Sequence, residues 1–103
     1  MVTVTVLYNK AADSAAFHKH YNETHIAIAK KIPGVQKYTI SDGAITGPDG
    51  TPSAYELIAR LEFASMDALR AALPSPEFAA AGADLGKFAQ AGVSISMYEE
   101  KTV

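Results

Sequence analysis

The residues of this sequence best suited to move a proton are Tyr21 and His25, four positions apart in the run FHKHYNETHIAIAKK at 17–31. On an α-helix that spacing brings their Cβ atoms to about 5–6 Å, and a phenol beside an imidazole can hold or pass a proton. An unperturbed imidazole changes charge near pH 6.5, which suits general acid–base work on a phenol, enol or lactone. The competing reading of His25 is a boundary histidine whose ring nitrogens are met by backbone or water. His18 and His20 form a His-x-His triplet, yet residues two apart on a helix project about 200° from each other and cannot converge on one metal. His18 and His25 share a side but stand two turns, roughly 10 Å, apart. Both earlier histidines are therefore expected at the surface, and no metal site is expected.

A second set of candidates lies on the strands. Tyr38, Arg60, Ser96 and Tyr98 fall on the polar-leaning phase of their segments, and on the side assigned to a cavity they would orient a small planar ligand. Arg60 has a competing role as ion-pair partner of Glu56 or Glu62, which share its strand face. The remaining aromatics read as core.

Composition removes whole classes of function. Cysteine is absent, which excludes disulfides, thiol nucleophiles, iron–sulfur ligation and thiolate zinc sites. A net charge of −2 and a pI near 5.8 give no long-range attraction for phosphates, so a nucleic-acid partner is not expected. The glycines from Gly43 to Gly50 lack the order of a phosphate loop, and neither a serine nucleophile elbow nor a nicotinamide fingerprint is present. No cofactor is expected; a histidine is available for haem, but no second feature supports it. The start MVTVTVLYNK has no basic stretch leading into an apolar signal core, and no apolar run approaches the roughly 18–20 residues of a membrane span. The expectation is a cytoplasmic protein without a membrane partner.

The elements that must position these residues follow from periodicity. Residues 2–8 (VTVTVLY) alternate as a strand, with Val2, Val4, Val6 and Tyr8 on one face. Asp13 or Ser14 caps a helix that Pro33-Gly34 ends, with Phe17, Tyr21, Thr24 and Ile28 as its apolar stripe. Strands are expected at 35–41 and 54–63, joined by the exposed run DGAITGPDGTP at 42–52. Ser65 caps a short helix reaching Leu73, Pro76 opens a second helical piece, and VSISMYEE from Val93 is the fourth strand. The order β-α-β-β-α-β defines an α+β, ferredoxin-like fold in which helices cover one face of a four-stranded antiparallel sheet. With 103 residues, one domain spanning 1–103 is expected. The uncovered face, too apolar to be wholly solvated, would be closed by a second copy of the chain, so a homodimer is expected.

Two segments carry a resemblance. FHKHYNETHIAIAKKIPGVQKY at 17–38 and FASMDALRAALPSPEFAAAGADLGKFA at 63–89 resemble the EthD-like family of dimeric α+β barrel proteins, in the expected order over about half the chain. The resemblance implies a ferredoxin-like subunit that dimerises through its sheets and an association with degradation of ethyl tert-butyl ether or aromatic compounds. The wider superfamily includes cofactor-free monooxygenases, lactone isomerases, polyketide cyclases and haem enzymes, so mechanism does not transfer with the fold. The family often has proline two residues after its helical histidine, where this chain has Ala27; the helix is accordingly expected to run straight through His25 to Lys31. Two functions follow. One is acid–base chemistry without a cofactor on a small apolar or aromatic molecule, with His25 moving the proton and Tyr21 assisting. The other is a carrier or accessory protein of an oxygenase system that uses the same cavity without chemistry.

Overall fold

A computed structural model describes all residues, Met1–Val103. Strand β1 (Val2–Asn9) leads to helix α1 (Ser14–His20), which passes through a π-helical turn, Tyr21–His25, into α2 (Ile26–Ala29). Strands β2 (Val35–Ile40) and β3 (Tyr55–Phe63), helices α3 (Met66–Ala72) and α4 (Pro76–Phe88), and strand β4 (Val93–Glu99) complete the chain. All pairings are antiparallel in the order β2-β3-β1-β4, the ferredoxin-like α+β arrangement. Asp13, Ser65 and Ser75 each accept a hydrogen bond from a first-turn amide of the helix they precede, and Pro76 sits where a missing amide costs nothing.

The β-branched alternation of β1 buries Val2, Val4, Val6 and Tyr8 under the helices, against Leu57, Ala59, Leu61 and Phe63 of β3. Phe17, Tyr21, Ala29, Ile32, Leu69 and Ala72 close the core from above. At Gly34, φ is +85°, and a Cβ added there would meet the Phe63 ring at 3.5 Å. A left-handed turn beside a core aromatic is a position that glycine fills without strain.

The first helix is not uniform. The Ile26 amide bonds to the Tyr21 carbonyl, five residues back, which adds one residue to that turn. The expected stripe through Thr24 and Ile28 is thereby displaced: Thr24 is exposed and Ile28 only half-buried, while His25 and Ala29 are buried at 4% exposure each.

The helix layer stops short of β4. Ile95 and Met97 pair across the ladder with Val6 and Val4 and so point to the helix side, yet remain 48% and 39% exposed. The opposite sheet face carries no helix; Thr5 bonds to the Tyr98 hydroxyl there, and Glu100 holds both Arg60 and the Thr3 hydroxyl.

Candidate functional site

Between the widened helix, α4 and the sheet lies a cavity of about 70 Å³, open on the β4 side beside Ile95. No lysine, arginine, aspartate or glutamate lines it; apart from Gly82 and His25, every lining residue is apolar or aromatic. Its polar atoms come from His25 and from the hydroxyls of Tyr8, Tyr21 and Tyr38.

His25 is held by a residue that the sequence reading did not single out. Its Nδ1 lies 2.9 Å from Oδ2 of Asp84, a carboxylate of α4 that is only 3% exposed. An ionised carboxylate can only accept, so Nδ1 carries the proton and donates it, leaving Nε2 as an unprotonated nitrogen. Nε2 has no partner within the chain and is not a buried orphan, so the cavity is where a reacting group would meet it. Burial lowers the pKa of His25 below its ordinary 6.5, against the upward pull of the hydrogen bond and charge of Asp84. For Asp84, burial pushes upward, but the hydrogen bonds from His25 and His20 outweigh it and hold the carboxyl below its usual range.

The phenols complete the polar end. Tyr21 and Tyr38 are in hydroxyl-to-hydroxyl contact at 2.5 Å, which uses one of their two protons and leaves the other free to donate. The Tyr8 hydroxyl adjoins that of Tyr21, and its ring stands edge-on to Tyr21 at 5.6 Å between centroids. Burial raises the pKa of all three phenols, so they stay protonated as hydrogen-bond donors at neutral pH. The ring centroids of Tyr21 and His25 are 5.1 Å apart. A base and neutral donors at one end of an apolar cavity can take a proton from a small molecule while donating to an oxygen on which negative charge develops.

The structure thus brings together Tyr21, His25 and Tyr38 and separates the other three candidates from them. Tyr38 pairs with Leu61, on the helix side, and does not share the phase of Arg60. Arg60, Ser96 and Tyr98 lie on the opposite face of the sheet, aligned with Thr5 and Thr3. Arg60 is paired with Glu100 at 2.5 Å rather than with Glu56 or Glu62. Glu56 instead anchors the start of α1, accepting from the Ala11 amide, the Ser14 hydroxyl and His18 Nε2. His20 likewise has a specific partner, Asp84, at 3.0 Å. No group of three or more His, Asp or Glu side chains has the arrangement of a metal site. Asp84 had one signal in the sequence: it falls within the apolar stripe Phe78, Ala81, Leu85 and Phe88, where a charge must find a partner.

The protonation state of the pair makes stability depend on pH. With the folded pKa of His25 lowered, the unfolded chain binds more protons between the two values. The stabilisation is therefore fully present above pH 6.5 and is lost as pH falls through the lower folded value. Asp84 acts with the same sign further down, present above 3.8 and lost as pH falls through its depressed value. Urea unfolding followed from neutral to acid pH should show midpoints that fall in that order; a midpoint insensitive to pH until the carboxylate range would count against a buried neutral His25.

Comparison with known proteins agrees with this architecture. The EthD domain model matches residues 9–92. An uncharacterised 11.0 kDa protein of the thcB-thcC intergenic region of Rhodococcus erythropolis is 37% identical over 100% of this chain and 98% of its own length. The crystal structure of an ethyl tert-butyl ether degradation (EthD) family protein from Bacillus halodurans C-125 superposes with a TM-score of 0.89 at 30% identity, covering 98% of this chain and 99% of that one. At the level of fold alone, the chain is similar to SnoaB, a cofactor-independent oxygenase from Streptomyces nogalater (TM-score 0.65, 20% identity, 99% and 94% covered). It is likewise similar in fold to a dimeric ferredoxin-like protein from Thermobifida fusca YX (TM-score 0.70, 16% identity, 96% and 90% covered). With its cavity, its β-α-β-β-α-β order and a family match over most of its length, this chain belongs to the EthD family.

Proposed function

We propose that this protein binds a small, largely apolar or aromatic organic molecule in the cavity between the widened first helix and the sheet, and carries out cofactor-independent proton transfer on it. The observation that supports this most directly is the His25–Asp84 pair, whose bare Nε2 borders a cavity with no charged lining residue. His25 acts as the base, and Tyr21, tied to Tyr38, donates to the oxygen that gains charge. A phenol, a hydroxyquinone or a lactone-like compound with a hydrogen α to its carbonyl supplies both an acidic proton and such an oxygen. The similarity in fold to a cofactor-independent oxygenase fits this chemistry, and kinship with an EthD family protein makes a place in ether or aromatic-compound degradation part of the proposal. Because a base works only when deprotonated, turnover should rise with pH through the ionisation of His25, with its midpoint below the ordinary histidine value. A rate that stays flat from neutral pH down into the carboxylate range, or that falls with rising pH, would remove His25 as the base.

The second reading is a carrier or accessory protein of an oxygenase system. It is favoured by the apolar lining, which suits an uncharged ligand whether or not it reacts. Binding and conversion therefore need separate measurement with aromatic and quinone ligands. Micromolar binding without conversion between about pH 5 and 9, with His25→Ala binding equally well, would replace catalysis by carriage.

The working form proposed is a cytoplasmic homodimer. Ile95, Met97 and Tyr98 leave β4 exposed on both sides, and a subunit of this fold is dimeric in the Thermobifida protein. Light scattering at micromolar concentration should return twice 10.9 kDa; a stable monomer would contradict this.

A further inference from the structure

We infer that His20 is a positioning residue for His25, acting through the Asp84 carboxylate that the two histidines share. The inference rests on the reading of His25 as the base, and it concerns what keeps that base in its working tautomer.

His20 Nε2 lies 3.0 Å from each oxygen of Asp84, while His25 Nδ1 reaches Oδ2 alone. Oδ1 has no partner other than His20. Without His20, half of a carboxylate that is 3% exposed would be a buried acceptor with nothing to accept. Such a group regains partners by rotating away or by taking up a proton, and either change withdraws the acceptor that holds the proton on Nδ1 of His25. The side chains run from inside to outside as Asp84 at 3% exposure, His25 at 6% and His20 at 27%. Phe88 fixes the spacing: its ring stacks on His20 at 4.8 Å and packs against His25 at 5.0 Å. The helix geometry has the same effect, because the extra residue in the π-helical turn presents both histidines to one residue of α4.

His20 also acts on His25 through charge: its proximity lowers the pKa of His25, against the upward pull of Asp84. The charged and titratable groups around this cluster are Asp84 and Lys87 from α4, Asp13 ahead of α1, and Tyr21, with Tyr8 and Tyr38 across the cavity. Of these, Asp84 alone hydrogen-bonds to both imidazoles.

Histidine nitrogen and carbon NMR on the ligand-free, full-length protein tests this without any turnover. In the wild type, His25 should be the Nδ1–H tautomer, with a midpoint below the ordinary histidine value. In His20→Gln, an uncharged donor should keep the tautomer and move the His25 midpoint to higher pH. In His20→Phe, with no donor, His25 should shift toward the Nε2–H tautomer. Identical tautomer and midpoint of His25 in all three proteins would overturn the inference. Should the Phe variant fail to fold, a His25 midpoint unmoved in His20→Gln would overturn it equally. If these NMR shifts are seen but no ligand is ever converted, the acid–base reading fails and the positioning role of His20 stands.

Discussion

His25→Ala should lower turnover by about 10²–10⁴-fold, the range a well-placed general base contributes, while leaving the chain folded and its cavity able to take up ligand. The alanine removes Nε2 from the cavity and leaves Asp84 with His20 as its remaining partner, so the buried carboxylate is still met by a donor. Ligand affinity should change little, because His25 is one lining residue of a wall that is otherwise apolar and aromatic. A steady-state comparison of kcat and KM, with circular dichroism as the folding control, separates these effects. A collapse of folding without an effect on ligand-bound chemistry would make His25 a structural residue, and unchanged turnover would remove it from the mechanism.

The largest loss of stability should come from Phe63→Ala, by about 3–5 kcal/mol, since a buried aromatic takes with it both its transfer free energy and the packing around it. Phe63 is 0% exposed, ends the central strand β3, pairs with Val2 and Val35, and supports the Gly34 turn. Against a total of about 5–15 kcal/mol for a typical protein, this is a large share. Ile28→Ala provides the contrast. Its side chain is half-buried, so its loss should fall well below the 2–5 kcal/mol typical of a fully buried isoleucine. Chemical denaturation of the two variants decides it: equal losses would mean that the helix keeps a uniform α-helical turn and that Ile28 belongs to its buried stripe.

The strands and the helix starts were legible because their signals are local. Alternation in VTVTVLY and YELIARLEF marks a strand with one covered face, and Asp13, Ser65 and Ser75 act within three residues of themselves. What escaped depends on partners distant in the chain. The phase of Tyr38 differs from simple alternation because β2 departs from regular pairing between Val35 and Lys37, and one irregular step exchanges the two faces beyond it. The phase of the first helix departs from uniform α-helical spacing after Tyr21 because the turn there is wider. Asp84 pairs with residues 59 and 64 positions away, a separation that no periodicity within α4 reports. Tyr21 and His25 were found together because four residues bring two side chains to one face on either kind of helical turn.

The wide turn also has a bearing on how relatives of this chain are aligned. A π-helical turn holds one residue more than an α-helical one, so a related helix lacking it matches this chain only with a one-position gap between Tyr21 and His25. Drawn without the gap, the alignment would match the first half of the helix correctly and then set Thr24 and Ile28, rather than His25 and Ala29, in the columns of buried residues. The columns would fall out of step at the position of the candidate base. A survey of which relatives keep the histidine therefore has to place insertions by structure before it counts residues.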